Sequence, residues 1–446
     1  MHRTGVFRGF AIASHTFQHR VPVFTIGRVL PRNTPLHARE TLKYDILSGV
    51  GRAAFQACGA GTAAVVANKA LGADAFLVAL LFSAAHLGQI GTIWVPRLLD
   101  RFGAVRFIVF VELLCALFIG ATGLATEAVA FVLVVCGGYA MHGLATPAYS
   151  RVYRQNYPTA MRGQLFSITV AVMNGVLAIT SFAAGRMLNA QPEFYRIIFP
   201  ALAIVAVLGA AAFSRIRVRN EEEISGVGGA DRFLQVWRII STDRRYMFFL
   251  VIWSIFGFSN LMLEPVRVLF VADDQFIIRA DYLQSLLILM VIPQATVMVS
   301  LPLWGWLLDR YPVVYLRVAM QVAALINVAM FIWTPTIGWL YVAGIFRGLG
   351  QAGGHITWPL AMMEFSPRSR VSEYTAVHTM LTGIRGIFAP QIAAVLLTLY
   401  GPENTFWVGF AGMALSIALF AIFPRVTRAW PVAEGAPPPR KMPLFR

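Results

Sequence analysis

Apolar residues along the chain gather into twelve runs of helix length, at about 46–67, 75–96, 106–125, 129–150, 164–187, 195–214, 246–271, 283–308, 315–333, 337–362, 373–399 and 404–423. A helix that crosses the hydrocarbon core of a bilayer takes about 20 apolar residues, so each run predicts one transmembrane helix. Between the sixth and seventh runs the pattern breaks. Arg215, Arg217, Arg219, Glu221, Glu222 and Glu223 lead into a Gly-rich turn and then Arg232, Arg238, Arg244 and Arg245. This charged connection divides the runs six and six. The division predicts a basic, disordered tail over 1–44, a first bundle over 45–215, a cytoplasmic linker over 216–245, a second bundle over 246–424 and a Pro/Arg-rich tail over 425–446.

The two halves carry the same landmarks. An Asp-Arg pair follows the second run at Asp100-Arg101 and the eighth at Asp309-Arg310, 209 residues later. The fourth run ends in Thr146-Pro147-Ala148-Tyr149 and the tenth in Trp358-Pro359-Leu360-Ala361, with the prolines 212 residues apart. Two landmarks at nearly one interval indicate an internal duplication. The predicted fold class is an all-α membrane protein, twelve transmembrane helices in two pseudo-symmetric six-helix bundles around a central cavity.

The loop Pro96-Arg97-Leu98-Leu99-Asp100-Arg101-Phe102-Gly103 and its echo Gly305-Trp306-Leu307-Leu308-Asp309-Arg310 resemble the repeated loop of the major facilitator superfamily. Tyr157 to Gly163, and Tyr374 to Gly386, are also similar to bacterial members. The first copy departs from the pattern with Pro96 in place of the leading Gly, and the second with Pro312 in place of the later one. The resemblance covers about residues 43 to 425 and implies a secondary transporter working by alternating access, without naming its cargo. It also implies that Asp100 and Asp309 are gating latches, with Arg101, Arg106, Arg162 and Arg310 as candidate partners. A carboxylate at a helix junction can accept from a neighbouring helix N-terminus and pair with Arg. Ordinary positive-inside decoration is the alternative for these arginines.

Composition sharpens this picture. The chain is 58% hydrophobic and 13% charged, with a mean hydropathy of +0.66, too apolar for a soluble domain. Its net charge of +16 is spread over many loops, not gathered on one face, so nucleic acid is not the expected partner. With a cytoplasmic amino terminus, the inside connections hold 17 Arg and the outside ones four basic residues, Lys69, Arg186, Arg196 and Arg279. That asymmetry predicts a multi-pass protein of the cell (inner) membrane with both termini cytoplasmic. The tail over 1–44 lacks a signal-peptide core and is compatible with a transit peptide, an arm held at anionic lipid, or upstream sequence outside the true reading frame. Cys58, Cys115 and Cys136 lie in apolar runs without CxxC spacing, so no disulfide framework, metal site or cofactor is expected.

Ionisable and polar residues at bilayer depth are costly and mark functional candidates. Arg347, Gln351 and His355 share one stripe of the tenth run, and His378, Thr382 and Arg385 share one of the eleventh. Asn260, Glu264 and Arg267 do so in the seventh, Tyr139, His142 and Thr146 in the fourth, and Arg52 and Gln56 in the first. The resemblance places the first, fourth, seventh and tenth helices around the cavity. Substrate contact is expected of Arg347 and Arg385 first, then His142, Gln351, His355, Arg52 and Gln56. Proton coupling or an outer gate is expected of Glu264, Arg267, Glu112 or His378, although Glu264 and Arg267 are also spaced to neutralise each other in helix packing. Four intramembrane Arg against two Glu suggest an anionic or zwitterionic small-molecule substrate.

No nucleotide-binding loop and no HExxH motif occur, so neither an ATP-driven pump nor a metalloenzyme is expected. A multidrug-type exporter of lipophilic cations, and a transporter-like sensor or assembly protein without transport, are the competing readings. The protein is expected to be monomeric and embedded in lipid.

Overall fold

The structure is a computed structural model that describes residues 34–92, 94–158, 161–218, 241–333, 336–367 and 371–431, apart from the side chains at 96, 309, 359–364 and 371–373. Most of both tails, the centre of the linker and the Asp309 carboxylate therefore lie outside the described residues. Within them the chain is helical throughout, with no strand.

The first half opens with α1 (Leu36–Ala57) and α2 (Ala60–Leu71), two parts of one span interrupted at Cys58 and Gly59. α3 (Ala75–Gly91) leads through a turn into the short α4 (Val95–Phe102), which carries Asp100 and Arg101, and then comes α5 (Ala104–Ala121). α6 (Ala128–Leu144) and α7 (Thr146–Asn156) make one bent span, followed by α8 (Arg162–Ala190) and α9 (Tyr195–Phe213). The second half runs α10 (Arg244–Ala272), α11 (Tyr282–Leu286), α12 (Ile292–Arg310), α13 (Val313–Trp333), α14 (Ile337–Phe365) and α15 (Val371–Val426). A π-helical stretch over Leu287–Val291 joins α11 to α12. α15 is two antiparallel spans joined at Gly401, where φ of 78° and ψ of 172° leave helical space and suit only glycine.

Among the described residues, eight helices are long and apolar enough to cross a membrane, the doubled α15 counted as one. Their backbones bond within each helix, the condition for crossing lipid. Large apolar side chains such as Leu117, Ile179, Leu208 and Val299 stand exposed on the outer faces, where acyl chains would cover them. Aspartates fix several helix starts. The Asp74, Asp243 and Asp281 side chains each accept the N–H of the residue three positions on, satisfying donors that a helix leaves open.

Two results differ from the apolar pattern. The first helix begins at Leu36, inside the stretch assigned to the tail, so residues 36–44 are helical and Asp45 is fully buried. The second run ends at Gly91 and not at residue 96, because the chain turns there before α4 starts with Pro96 in its first turn.

The halves meet in two ways. α15 packs along α3, and α12 along α8, near the middle of the molecule. At the end opposite the chain termini, polar groups of one half cap helices of the other. Lys69 at the end of α2 donates to the Ala272 carbonyl at the end of α10 at 2.8 Å and pairs with Asp274 at 3.1 Å. Asn68 donates to Asp273 at 3.0 Å. Asn189 at the end of α8 accepts the Leu283 N–H at the start of α11 at 3.1 Å. A cation at a helix C-terminus and an acceptor at an N-terminus are the favourable pairings.

Candidate functional site

In the first half the buried polar groups converge on Asp45. Its carboxylate accepts from Arg52 at 2.7 Å, Tyr153 at 2.8 Å, Thr169 at 2.8 Å and Tyr157 at 3.2 Å. Arg52 also donates to the Tyr153 hydroxyl at 3.0 Å and to the Asp45 carbonyl, and its guanidinium lies 4.8 Å from the centroid of the Tyr149 ring. The Tyr149 hydroxyl in turn donates to Glu112. Four spans are tied together by these contacts. Stripping one partner from such a buried pair costs about 3–5 kcal/mol, because the other charge is left uncompensated.

Of the residues expected at the substrate, Arg52 is therefore engaged in this network. His142 and Gln56 are half-buried nearby. The His142 ring stands 5.0 Å from that of Phe55, and Tyr139 stacks on Phe55 at 4.8 Å. The Tyr139 hydroxyl donates toward the Phe55 and Gln56 carbonyls at 3.4 Å, just before the break between α1 and α2.

The second half is arginine-rich. Glu264 is clamped between two guanidinium groups, Arg347 at 2.5 Å and Arg267 at 3.1 Å. The spaced pair Glu264–Arg267 is thus present, and Arg347 from α14 joins it as a third member that the sequence does not announce. Arg347 keeps its Nε and Nη1 buried and without a partner, as does Gln351 its Oε1, while His355 on the same stripe is exposed. With two cations on one carboxylate the group retains a positive excess.

A second group in this half comprises Arg385, His378 and Arg317. Arg385 donates to Thr382 at 2.7 Å and to Ser254 at 3.3 Å. Gly257 makes this possible, since a Cβ there would come within 2.6 Å of the Arg385 Nε. His378 is fully buried, with neither ring nitrogen partnered. Arg317, also fully buried, lays its guanidinium 3.3 Å from the Trp253 ring centroid and donates to the Thr357 carbonyl at 2.9 Å. Apolar periodicity alone leaves Arg317 among the basic residues of the connection after the eighth run and gives no reason to bury Asp45. Both lie at the edge of an apolar run, and burial there depends on neighbours the pattern does not contain.

The two halves can be read position against position. Asp45 and Ser254, Glu112 and Gln321, Tyr149 and Trp358, and Thr169 and His378 are each 209 residues apart, the interval between the two Asp-Arg pairs. The buried acids Asp45 and Glu112 of the first half are thus matched by the neutral Ser254 and Gln321 in the second.

The loop residues behave differently from the cavity residues. Asp100 pairs with Arg151 of α7 at 2.8 Å, not with Arg101, Arg106 or Arg162. Arg162 donates to the Arg154 and Tyr157 carbonyls, Arg106 is exposed, and Arg101 lies over the Phe102 ring. α4 and α7 are adjacent, which puts Arg151 nearer to Asp100 than arginines of its own loop. In the second copy Arg310 stacks on Trp306 with its guanidinium 3.7 Å from the ring centroid. No group of three or more metal-ligating side chains occurs among the described residues.

Similarity to known proteins agrees with this architecture. No curated protein sequence matches the chain. Among solved structures it is similar to a mutant of the nucleoside transporter NupG, with a TM-score of 0.71 at 13% identity, covering 86% of this chain and 99% of that one. It is similar also to a mutant peptide transporter POT in complex with alafosfalin, with a TM-score of 0.64 at 14% identity, covering 88% and 95%. The xylose transporter XylE from E. coli, in an inward open conformation, gives a TM-score of 0.62 at 13% identity and coverage of 89% and 96%. Such identities speak for the fold alone. Residues 47–293 and 276–445 each match the Major Facilitator Superfamily, so both halves of this duplicated, membrane-spanning chain carry the family's pattern and the protein belongs to that superfamily.

Proposed function

We propose that the protein is a secondary active transporter of a small organic anion or zwitterion, working by alternating access between its two bundles. The observation that carries this reading is the imbalance of buried charge in the second half. Arg267, Arg317, Arg347 and Arg385 are largely buried there, and among the described residues the one carboxylate paired with any of them is Glu264. Guanidinium forks suit carboxylates and phosphates, and buried cations without counter-charges favour a solute that brings its own. Arg385 and Arg347 lead the substrate contacts in this reading, with Gln351, His355, His142 and Gln56 around them.

The caps at the Lys69 and Asn189 end support closure on one side while the other admits solute. With both termini in the cytoplasm of the inner membrane, as the arginine asymmetry favours, the closed side is the outer one and the conformation faces inward. Asp100 with Arg151 serves as a latch that the opposite swing re-forms around, and Glu264, between two guanidinium groups, is the group whose protonation would couple a proton gradient to the swing.

The test is a thermal-shift screen of the detergent-purified protein against anionic, zwitterionic, cationic and neutral metabolites and drugs, repeated on Arg385→Gln and Arg347→Gln. Stabilisation by anions that is lost in the variants supports the reading and leads to flux measurements in proteoliposomes. Stabilisation by lipophilic cations, unchanged in both variants, overturns it in favour of a multidrug-type exporter.

A further inference from the structure

Four spans of the second half bring basic and indole donors together with no carboxylate paired to them among the described residues. α10 contributes Trp253 and Ser254, α13 contributes Arg317, α14 contributes Thr357 and Trp358, and α15 contributes His378, Thr382 and Arg385. Every member is within one contact of another. Arg317 lies on Trp253, His378 stands 5.9 Å from the Trp253 ring and 5.2 Å from the Trp358 ring, and Arg385 is bonded to Ser254 beside Trp253. The Arg317 and Arg385 Nε–H groups, the Trp253 indole N–H and both His378 nitrogens are buried without a partner. Among the described residues, none of the three basic side chains pairs with a carboxylate.

A buried polar group is almost always bonded to something, so several that are open at one place call for an outside partner. The first half meets the same demand from within. There the position that matches Ser254 is Asp45, whose carboxylate neutralises Arg52 and accepts from three hydroxyls, leaving the Arg52 Nε–H open but its charge paired. Among the described residues, the second half has the donors and no carboxylate paired with them.

We propose that this cluster is the oxyanion subsite of the solute and that it selects a flat carboxylic acid, with the carboxylate carried on an aromatic or heteroaromatic ring. The proposal rests on the reading of the chain as an organic-anion transporter. The carboxylate takes hydrogen bonds from Arg385 and His378, and Arg317, held on the Trp253 face, supplies the second positive charge. The solute ring lies against Trp358, which is half-buried where Trp253 is covered. Planar forks match the two oxygens of a carboxylate, and indole walls match a flat apolar body. No lysine and no helix N-terminus takes part, the usual companions of a bound phosphate.

The experiment measures melting temperature and tryptophan fluorescence of the full-length purified protein with benzoate, cyclohexanecarboxylate, benzamide and inorganic phosphate. Benzoate is expected to bind about five-fold or more tightly than cyclohexanecarboxylate, the margin a ring–ring contact provides, and benzamide and phosphate not at all. Trp358→Leu should erase the preference for benzoate while keeping carboxylate binding. Arg317→Met should weaken both carboxylates by about ten-fold or more, the loss of a desolvated charge partner. Arg317→Lys, which keeps the charge without the fork, serves should the Met variant not fold and is expected to weaken benzoate as well. Equal binding of benzoate and cyclohexanecarboxylate to the unaltered protein overturns the subsite and leaves the organic-anion reading standing. Benzoate binding that survives Arg317→Met and is lost in Arg347→Gln also overturns it, moving the anion to the Glu264 clamp. Binding of no anion at all overturns both.

Discussion

The acid-centred network of the first half and the basic cluster of the second occupy matching places in a duplicated fold, yet they treat buried charge in opposite ways. Asp45 collects four side-chain donors and leaves Arg52 a counter-charge, two tyrosine contacts and a backbone acceptor. That arrangement gives the buried guanidinium a counter-charge, although the Arg52 Nε stays unpartnered, and it locks α1, α7 and α8 together. Around Arg317, His378 and Arg385 the bonds go to a threonine carbonyl, two hydroxyls and aromatic faces, and several donors are left over. The difference teaches that a duplicated scaffold can spend its buried polar groups on rigidity in one copy and keep them for a ligand in the other.

Substitutions that remove charge from each side sharpen or break this comparison. Asp45→Asn should have the largest effect, a loss of about 3–5 kcal/mol, since Arg52 would stay buried without its partner. A denaturation midpoint within error of the parent would show that the network is not what holds the half together. Glu264→Gln comes next. Gln keeps one acceptor oxygen but not the charge that Arg267 and Arg347 share, so a loss of about 1.5–3 kcal/mol is expected, read as a lower melting temperature, together with a fall in any pH dependence of flux.

Arg317→Met carries the contrast directly. A buried guanidinium without a carboxylate is replaced by an apolar chain of similar length, so stability should stay within about 1 kcal/mol of the parent while carboxylate binding weakens about ten-fold or more. A collapse comparable with that of Asp45→Asn would mean that the second cluster is as structural as the first. The smallest change is expected of Asp100→Asn. Its pair with Arg151 is partly in solvent, the Asp side chain 43% exposed, and such pairs are worth about 0–1 kcal/mol. Spin-label distances between the halves should respond where stability does not, if the pair acts as a latch.

Much of the fold was legible in the chain. Apolar periodicity located the spans, the repeated Asp-Arg pairs exposed the duplication, and the stripes on α14 and α15 singled out Arg347 and Arg385. The partners were not legible. Glu264 and Arg347 are 83 residues apart and Asp100 and Arg151 51 apart, and helical spacing says which face a residue is on, not which helix will cover it. Arg317 and Asp45 escaped for a related reason. Each sits near the end of an apolar run, where sequence reads a loop charge, and only packing against α14 and α10, or α7 and α8, makes it a buried one.

The sequence by itself determined the number and order of apolar spans, the duplication and the presence of arginine at membrane depth, because burial in lipid requires long uninterrupted apolar helices and tolerates few exceptions. Tertiary structure alone decided which exceptions meet. Asp45 is satisfied and the Arg317 cluster is not because three spans in one half, and four in the other, bring their side chains to a common point. That convergence is a property of helix crossings in space, and no periodicity along the chain encodes it.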